Sequence, residues 1–197
     1  MKGETHGAIG LATGMGVVYL VGADSWLDVM AMLTTSFAAS LLPDLDAEES
    51  LLQSMLLPNL SRKVRSMIFV GVAILLILLH ILVPEIPLWV LLIGIFLMVA
   101  VFAPHRTVTH SLLMVAFLGW TVYQISPTYV WPFVAGYLSH LVADALTVSG
   151  VPFFWPVSVK VSAKKIGIRI KTGSAADQWI GNVAIGLFLI GLVYLFV

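Results

Sequence analysis

The sequence predicts an all-α integral membrane protein of about seven transmembrane or half-embedded helices, with a small β-hairpin at the cytoplasmic surface. Three observations predict it. The 197 residues are 60% hydrophobic and only 10% charged, with a mean hydropathy of +1.04, whereas a soluble domain is about 45–50% apolar and about 25% charged. Apolar runs of spanning length recur along the chain. When the chain is threaded through a bilayer by those runs, every basic residue falls on one side. A soluble, disordered or fibrous chain is excluded. The absence of cysteine excludes a disulfide scaffold, a thiolate metal site and a thiol nucleophile.

The elements follow in order. A bilayer core of about 30 Å takes about 20 apolar residues per helix. The matching runs are roughly 7–23, 27–43, 65–83, 87–103, 110–125, 128–148 and 179–197. The first, second and fifth are short and end in polar residues, so they are half-embedded or packed inside the bundle. The first carries Gly7, Gly10, Gly14 and Gly16, and the four-residue spacing of Gly10 and Gly14 permits close helix contact. No charged n-region precedes a small-residue cleavage site, so a cleavable signal peptide is not expected. No internal repeat is present, and residues 1–197 read as a single membrane-embedded helical domain.

Two segments lie outside the runs. Residues 44–64 begin acidic (Asp44, Asp46, Glu48, Glu49), pass through Leu-Leu-Gln-Ser-Met-Leu-Leu, and lead into Arg62, Lys63 and Arg65. The apolar middle suits a short interfacial helix. Residues 151–178 open with Pro-Phe-Phe-Trp-Pro, an aromatic anchor for the headgroup level. Val157, Val159 and Val161, then Ile166, Ile168 and Ile170, alternate with polar residues. Period two predicts strands, hence a surface hairpin insertion.

Alternation sets the sides. The amino terminus and loops 44–64, 104–109 and 149–178 share one side. Lys2, Arg62, Lys63, Arg65, Arg106, Lys160, Lys164, Lys165, Arg169 and Lys171 all fall there, ten of ten. The other side holds Asp24, Asp28 and Glu85. The positive-inside rule makes the basic side cytoplasmic.

Ionisable residues in or beside spans are costly and point to function. His6, Asp44, Asp46, His105, His110, His140, Asp144 and Asp177 all lie at the cytoplasmic ends of their spans. His6 and Asp177 precede the first and last spans, and His105 and His110 open the fifth. His140 and Asp144 are four apart on one helix face. Asp44 and Asp46 follow Pro43, where extended backbone would present one to the site and one behind it. Four carboxylates beside one arginine, Arg106, repel one another at low dielectric, and divalent cations relieve that repulsion. His and Asp without Cys suit Zn²⁺, with Mn²⁺ or Fe²⁺ as alternatives. Eight candidates exceed one tetrahedral zinc, so two or three ions are expected. Clustered metals suit phosphoester hydrolysis. Plainer readings stand beside this one: Asp46 or Asp177 as a helix or turn cap, Arg106 as a topology residue, His140 and Asp144 as a structural pair. His80, at the opposite end of its span, reads as packing.

Three motifs together carry a family resemblance: Leu-Leu-Pro-Asp-Leu-Asp (41–46), His-Arg-Thr-Val-Thr-His-Ser (105–111) and Gly-Tyr-Leu-Ser-His-Leu-Val-Ala-Asp-Ala-Leu-Thr (136–147). The chain resembles the YdjM/YbcI-type inner-membrane metal-dependent hydrolases of bacteria and archaea, from His6 to about Asp177. That family is distantly similar to the zinc-dependent phospholipase C/P1 nuclease superfamily, helical enzymes with three clustered zincs. The resemblance implies His6, Asp44, His105, His110, His140 and Asp144 as metal ligands. It places a carboxylate, commonly Glu, where this chain has the shorter Asp177.

The resulting expectation is a membrane-embedded hydrolase acting on a phospholipid or other amphiphilic phosphoester with metal-activated water. Asp46 or Asp177 would be general base and Arg106 would bind phosphate. The basic residues of 151–178 would hold anionic headgroups. Membrane lipids are the expected partners, and direct nucleic-acid contact is not expected. A His/Asp transporter would need polar groups at several depths, whereas these gather at one end. A regulatory protein tethering a soluble partner would need no metal. His-Glu-x-x-His and Gly-x-Ser-x-Gly motifs are absent.

Overall fold

The computed structural model describes residues 1–47 and 50–195. Glu48 and Glu49 of the acidic segment, and the last two residues of the final apolar run, lie outside the described residues.

Eight α-helices are present among them. They are α1 (Gly3–Val21), α2 (Trp26–Leu41), α3 (Leu51–Leu56), α4 (Arg62–Leu82), α5 (Leu88–Phe102), α6 (Leu112–Ile125), α7 (Val130–Ala145) and α8 (Ala175–Tyr194). Five of them, α2, α3, α4, α6 and α8, start on a serine whose side chain accepts a backbone N–H of the first turn. Near a membrane those end groups have few other partners, so the serines set where the helices begin.

The expected count of seven spans is corrected. Among the described residues, three segments are long and apolar enough to cross a membrane: Trp26–Asp46, Arg62–Leu82 and Ala175–Tyr194. α5 and α6 are apolar but shorter, at 15 and 14 residues. α1 and α7 bury Thr5, His6, His140 and Asp144, which interrupts their apolar character.

The core is a close trio of α1, α2 and α7, with α8 laid on α1, while α4 and α5 pair and α6 bridges α5 to α7. Small residues let the trio touch. A Cβ on Gly136 would lie 2.2 Å from the carbonyl oxygen of Ser36, so α7 meets the α2 backbone directly. Ser36 Oγ donates to the Gly10 carbonyl at 2.8 Å, tying α2 to α1. Behind the trio, Phe96, Met114, Leu118, Phe133 and Leu141 fill the space between α5, α6 and α7. Large apolar side chains along α4, such as Met67, Leu75 and Ile81, are exposed and suit lipid.

The surface hairpin is also corrected. Residues 147–174 make two isolated bridges, Val151 with Val161 and Thr147 with Ile170, and the described residues contain no strand. The alternating Val157, Val159, Val161, Ile166 and Ile168 are all exposed, so no buried face fixes a strand register. Pro152 and Pro156 lack ladder donors. Ser162 caps a 3₁₀ turn over Ala163–Ile166, where a second strand would have begun.

Two local expectations change as well. α1 begins at Gly3, so His6 sits in its first turn rather than ahead of it. Pro43–Asp46 is a 3₁₀ turn continuing α2, not extended backbone.

Candidate metal centre

Gly136 holds α7 against α2, and one turn further on His140 arrives beside the end of α2. His140 Nδ1 donates to the Ser40 carbonyl at 2.7 Å. A carbonyl only accepts, so the proton is on Nδ1 and Nε2 carries a lone pair. His110 lies in a 3₁₀ turn over Val108–His110, ahead of α6. Its Nδ1 is 3.0 Å from Thr109 Oγ1, and the single Thr109 hydroxyl proton goes to Asp46 Oδ2 at 2.6 Å. Thr109 therefore accepts from His110 Nδ1, which turns His110 Nε2 toward Asp44. The two Nε2 atoms face each other at 3.3 Å. Asp44 Oδ1 lies 3.4 Å from one and 3.6 Å from the other.

Three sets of ligand atoms adjoin here, each set lying within 4.8 Å of one another: His6, His140 and Asp144; Asp44, His110 and His140; Asp46, His105 and His110. They share His140 and His110 and so form a row. At one end His6 is fully buried, stacks on His140 with ring centroids 3.7 Å apart, and has Nε2 3.2 Å from Asp144 Oδ1. Neither His6 ring nitrogen makes a well-aligned hydrogen bond. At the other end His105 donates from Nδ1 to Asp46 Oδ1 at 2.7 Å. Burial in this loop disfavours the charged imidazole, but the Asp46 hydrogen bond and charge outweigh it and raise the His105 pKa above its ordinary value.

Among the described residues, two cations reach the row, the Arg106 guanidinium and the Met1 amino group. Arg106 Nη2 is 2.6 Å from Asp144 Oδ2, and the Arg106 backbone N–H donates to Asp46 Oδ2 at 3.3 Å. To do both, Arg106 adopts φ 59, a left-handed conformation that non-glycine residues rarely take and that clusters at functional sites. The Met1 amino group also contacts Asp144 Oδ1.

The structure thus brings together His6, Asp44, Asp46, His105, Arg106, His110, His140 and Asp144. Asp177 stands apart from the three sets. It lies in the first turn of α8, and its Oδ2 accepts the backbone N–H groups of Gly173 at 2.7 Å and Lys2 at 3.1 Å. His80 is elsewhere, its Nδ1 donating to the Ile86 carbonyl at 2.8 Å.

Imidazole nitrogens and carboxylate oxygens converging this closely fit a divalent cation, and the N/O donor set suits zinc-like ions. The sequence reading missed three supporting residues. Thr109 and Ser40 fix the tautomers. Tyr137, fully buried, donates to the Thr109 carbonyl at 2.6 Å. Tyr137 had a signal, since it lies three residues before His140 on the same helical face.

The family described as YdjM inner membrane protein matches residues 1–197. The chain belongs to the YdjM inner membrane protein family. Among its relatives, the inner membrane protein YdjM of Escherichia coli (strain K12) is 46% identical over 59 residues, covering 26% of this chain and 30% of that protein. The Shigella flexneri YdjM gives the same figures. The uncharacterized protein YvsG of Bacillus subtilis (strain 168) is 33% identical over 98 residues, covering 47% of this chain and 55% of that one. The matched stretches thus span about half of YvsG, or less than a third of the two YdjM chains. No solved structure matches. This YdjM-family chain is a membrane protein whose buried His and Asp groups can hold metal.

Proposed function

We propose that this chain is a membrane-embedded, metal-dependent hydrolase of phosphoesters carried on amphiphiles such as phospholipids. The observation that supports it best is the convergence of the Nε2 atoms of His110 and His140, 3.3 Å apart, on the Asp44 carboxylate. A divalent cation among these two nitrogens and the carboxylate would be ligated by all three. His6, Asp44, His105, His110, His140 and Asp144 would hold two or three ions, with Asp46 closing the third set; Zn²⁺ suits best, and Mn²⁺ or Fe²⁺ are the alternatives. When bound, the metals supply an activated water and neutralise charge on the phosphoryl group. The likeness of the motifs to the phospholipase C/P1 nuclease superfamily belongs to this proposal too.

The chain's own residues take the remaining work. Arg106, partly exposed and paired with Asp144, is placed to bind a phosphate oxyanion. Asp46 accepts from His105, Arg106 and Thr109, three of about four lone-pair sites; the remaining site is the one the third metal set uses, so its role here is to position His105 and Thr109 and not to act as general base. Asp177, held by two backbone N–H groups, is assigned to anchoring α8 against α1.

The proposal includes a multi-pass arrangement, with the short apolar helices also embedded and the site facing the cytoplasm. The basic residues Lys160, Lys164, Lys165, Arg169 and Lys171, all on the same side, support that orientation. A reporter fused at residue 165 is expected to be cytoplasmic.

The deciding experiment is elemental analysis of detergent-purified, metal-replete protein beside His140→Ala/Asp144→Ala. Wild type is expected to carry bound metal that the double variant loses. Equal metal contents would end the hydrolase reading. Release of phosphate from alkyl phosphates, and of a phosphorylated headgroup from phospholipids, is the following assay.

A further inference from the structure

An apolar groove of about 770 Å³ runs between α1, α7 and α8. Its size falls within the roughly 300–1,000 Å³ of small-ligand sites. Only Thr13 and Ser139 interrupt an otherwise apolar lining. Val142, Trp179, Val183 and Leu187 form an exposed rim, so the groove opens sideways, toward lipid.

Its position relative to the metal ligands is the informative feature. On α7 the lining includes Ser139 and Ala143, each one residue before a ligand, His140 and Asp144. Consecutive residues on a helix are about 100° apart, so the groove face and the ligand face of α7 adjoin. Met1 lines the groove and also contacts Asp144. From that end the groove follows α7 back from Leu146 to Ala135, about 16 Å at 1.5 Å per residue. That is about half of a 30 Å hydrocarbon core, the depth of one leaflet. Two other apolar grooves lie toward the opposite ends of the helices, lined by Leu27 and Met30 or by Met30 and Leu192. A further one between α4 and α5 shares no residue with the cluster.

We propose that this groove is the hydrocarbon-chain subsite of the enzyme. A lipid of the same leaflet enters sideways between α7 and α8, lays one chain along α7 toward the bilayer midplane, and brings its phosphate to the row of ligands beside Asp144. The substrate class is therefore a phosphate carried on a long alkyl, acyl or isoprenoid chain, rather than a soluble phosphoester. This rests on the hydrolase reading above. The chain specificity lies in the groove-facing residues of α1, α7 and α8, which are not themselves ligands.

The test uses hexadecyl phosphate bearing a mid-chain diazirine, with full-length protein in nanodiscs, and maps the adducts by mass spectrometry. Adducts on Val142, Val183 and Leu187 are expected to exceed those on Ile190 by about tenfold, a groove preference of about 1.4 kcal/mol over bulk lipid. Ile190 is the control because it is at least as exposed, at 66% against 58% for Leu187, yet lies outside the groove. Ala12→Phe/Ala135→Phe fills the groove and touches no ligand; it should abolish the excess while metal content stays at the wild-type level, which certifies the fold. Labelling that simply follows exposure, with Ile190 marked as strongly as Leu187, overturns the proposal, as does an excess that survives the filled groove in metal-replete protein. Failure of the hydrolase reading looks different: no bound metal and no phosphate released, with groove labelling intact.

Discussion

Gly136→Ala is the sharpest test of how the site is assembled. The added Cβ would sit 2.2 Å from the Ser36 carbonyl oxygen and 2.8 Å from Ser36 Cα. Both are backbone atoms of a packed helix, so no side chain can swing away. Restoring ordinary contact requires α2 and α7 to part by about 1 Å. Overpacking of this kind costs about 1–3 kcal/mol, and the parting also stretches the 2.7 Å hydrogen bond from His140 to Ser40, worth about 1 kcal/mol. Better helix propensity returns up to about 1 kcal/mol. The balance is a loss of about 1–3 kcal/mol, or about 2–12 °C in Tm for a chain of this length. Metal content should fall too, because His140 moves with α7. Thermal unfolding in detergent, read beside elemental analysis, measures both. Gly16→Ala is the control: nothing lies within 4 Å of its Cβ position, so it should be neutral or stabilising. A Gly136→Ala protein as stable and as metal-rich as wild type would refute the reasoning.

Three further outcomes are expected. Thr109→Val removes the donor to Asp46 and the acceptor for His110, so metal affinity, measured by chelator competition, should drop about 10–100-fold. Tyr137→Phe leaves the buried Thr109 carbonyl without its 2.6 Å partner; it should cost about 1–3 kcal/mol and speed hydrogen exchange across residues 105–111. Asp177→Asn should lower Tm through the Lys2 and Gly173 contacts but leave metal content unchanged. A loss of metal in Asp177→Asn would return that residue to the ligand set.

Legibility in the sequence followed the range of the interactions. The Arg62–Leu82 helix was legible because an unbroken apolar run over a basic start admits few other structures. His140 and Asp144 were legible because a four-residue spacing fixes a shared face whatever surrounds it. The gathering of His6, Asp44, His105 and His110 about them followed from depth alone, since all lie at the same ends of their helices. Asp177 shared that depth and still points elsewhere; the Ser174-x-x-Asp177 spacing, a helix-start pattern, was the clue to its local role. The hairpin was misread because alternation implies strands only when one face is buried, and burial of Val157 or Ile168 is not written in their neighbours. Ser40 could not be found at all, because a backbone carbonyl leaves no trace in residue identity.

The modest length of α5 and α6 has a consequence for the membrane itself. At 15 and 14 residues they reach about 22 and 21 Å, well short of a bilayer core of about 30 Å. Lipids beside an embedded helix pair of that length must compress to match it, and the headgroup plane sinks on that flank. The link between these two helices carries His105, Arg106 and His110. In the proposed multi-pass arrangement, hydrophobic mismatch would draw the phosphate layer on that flank down toward the depth of His105, Arg106 and His110.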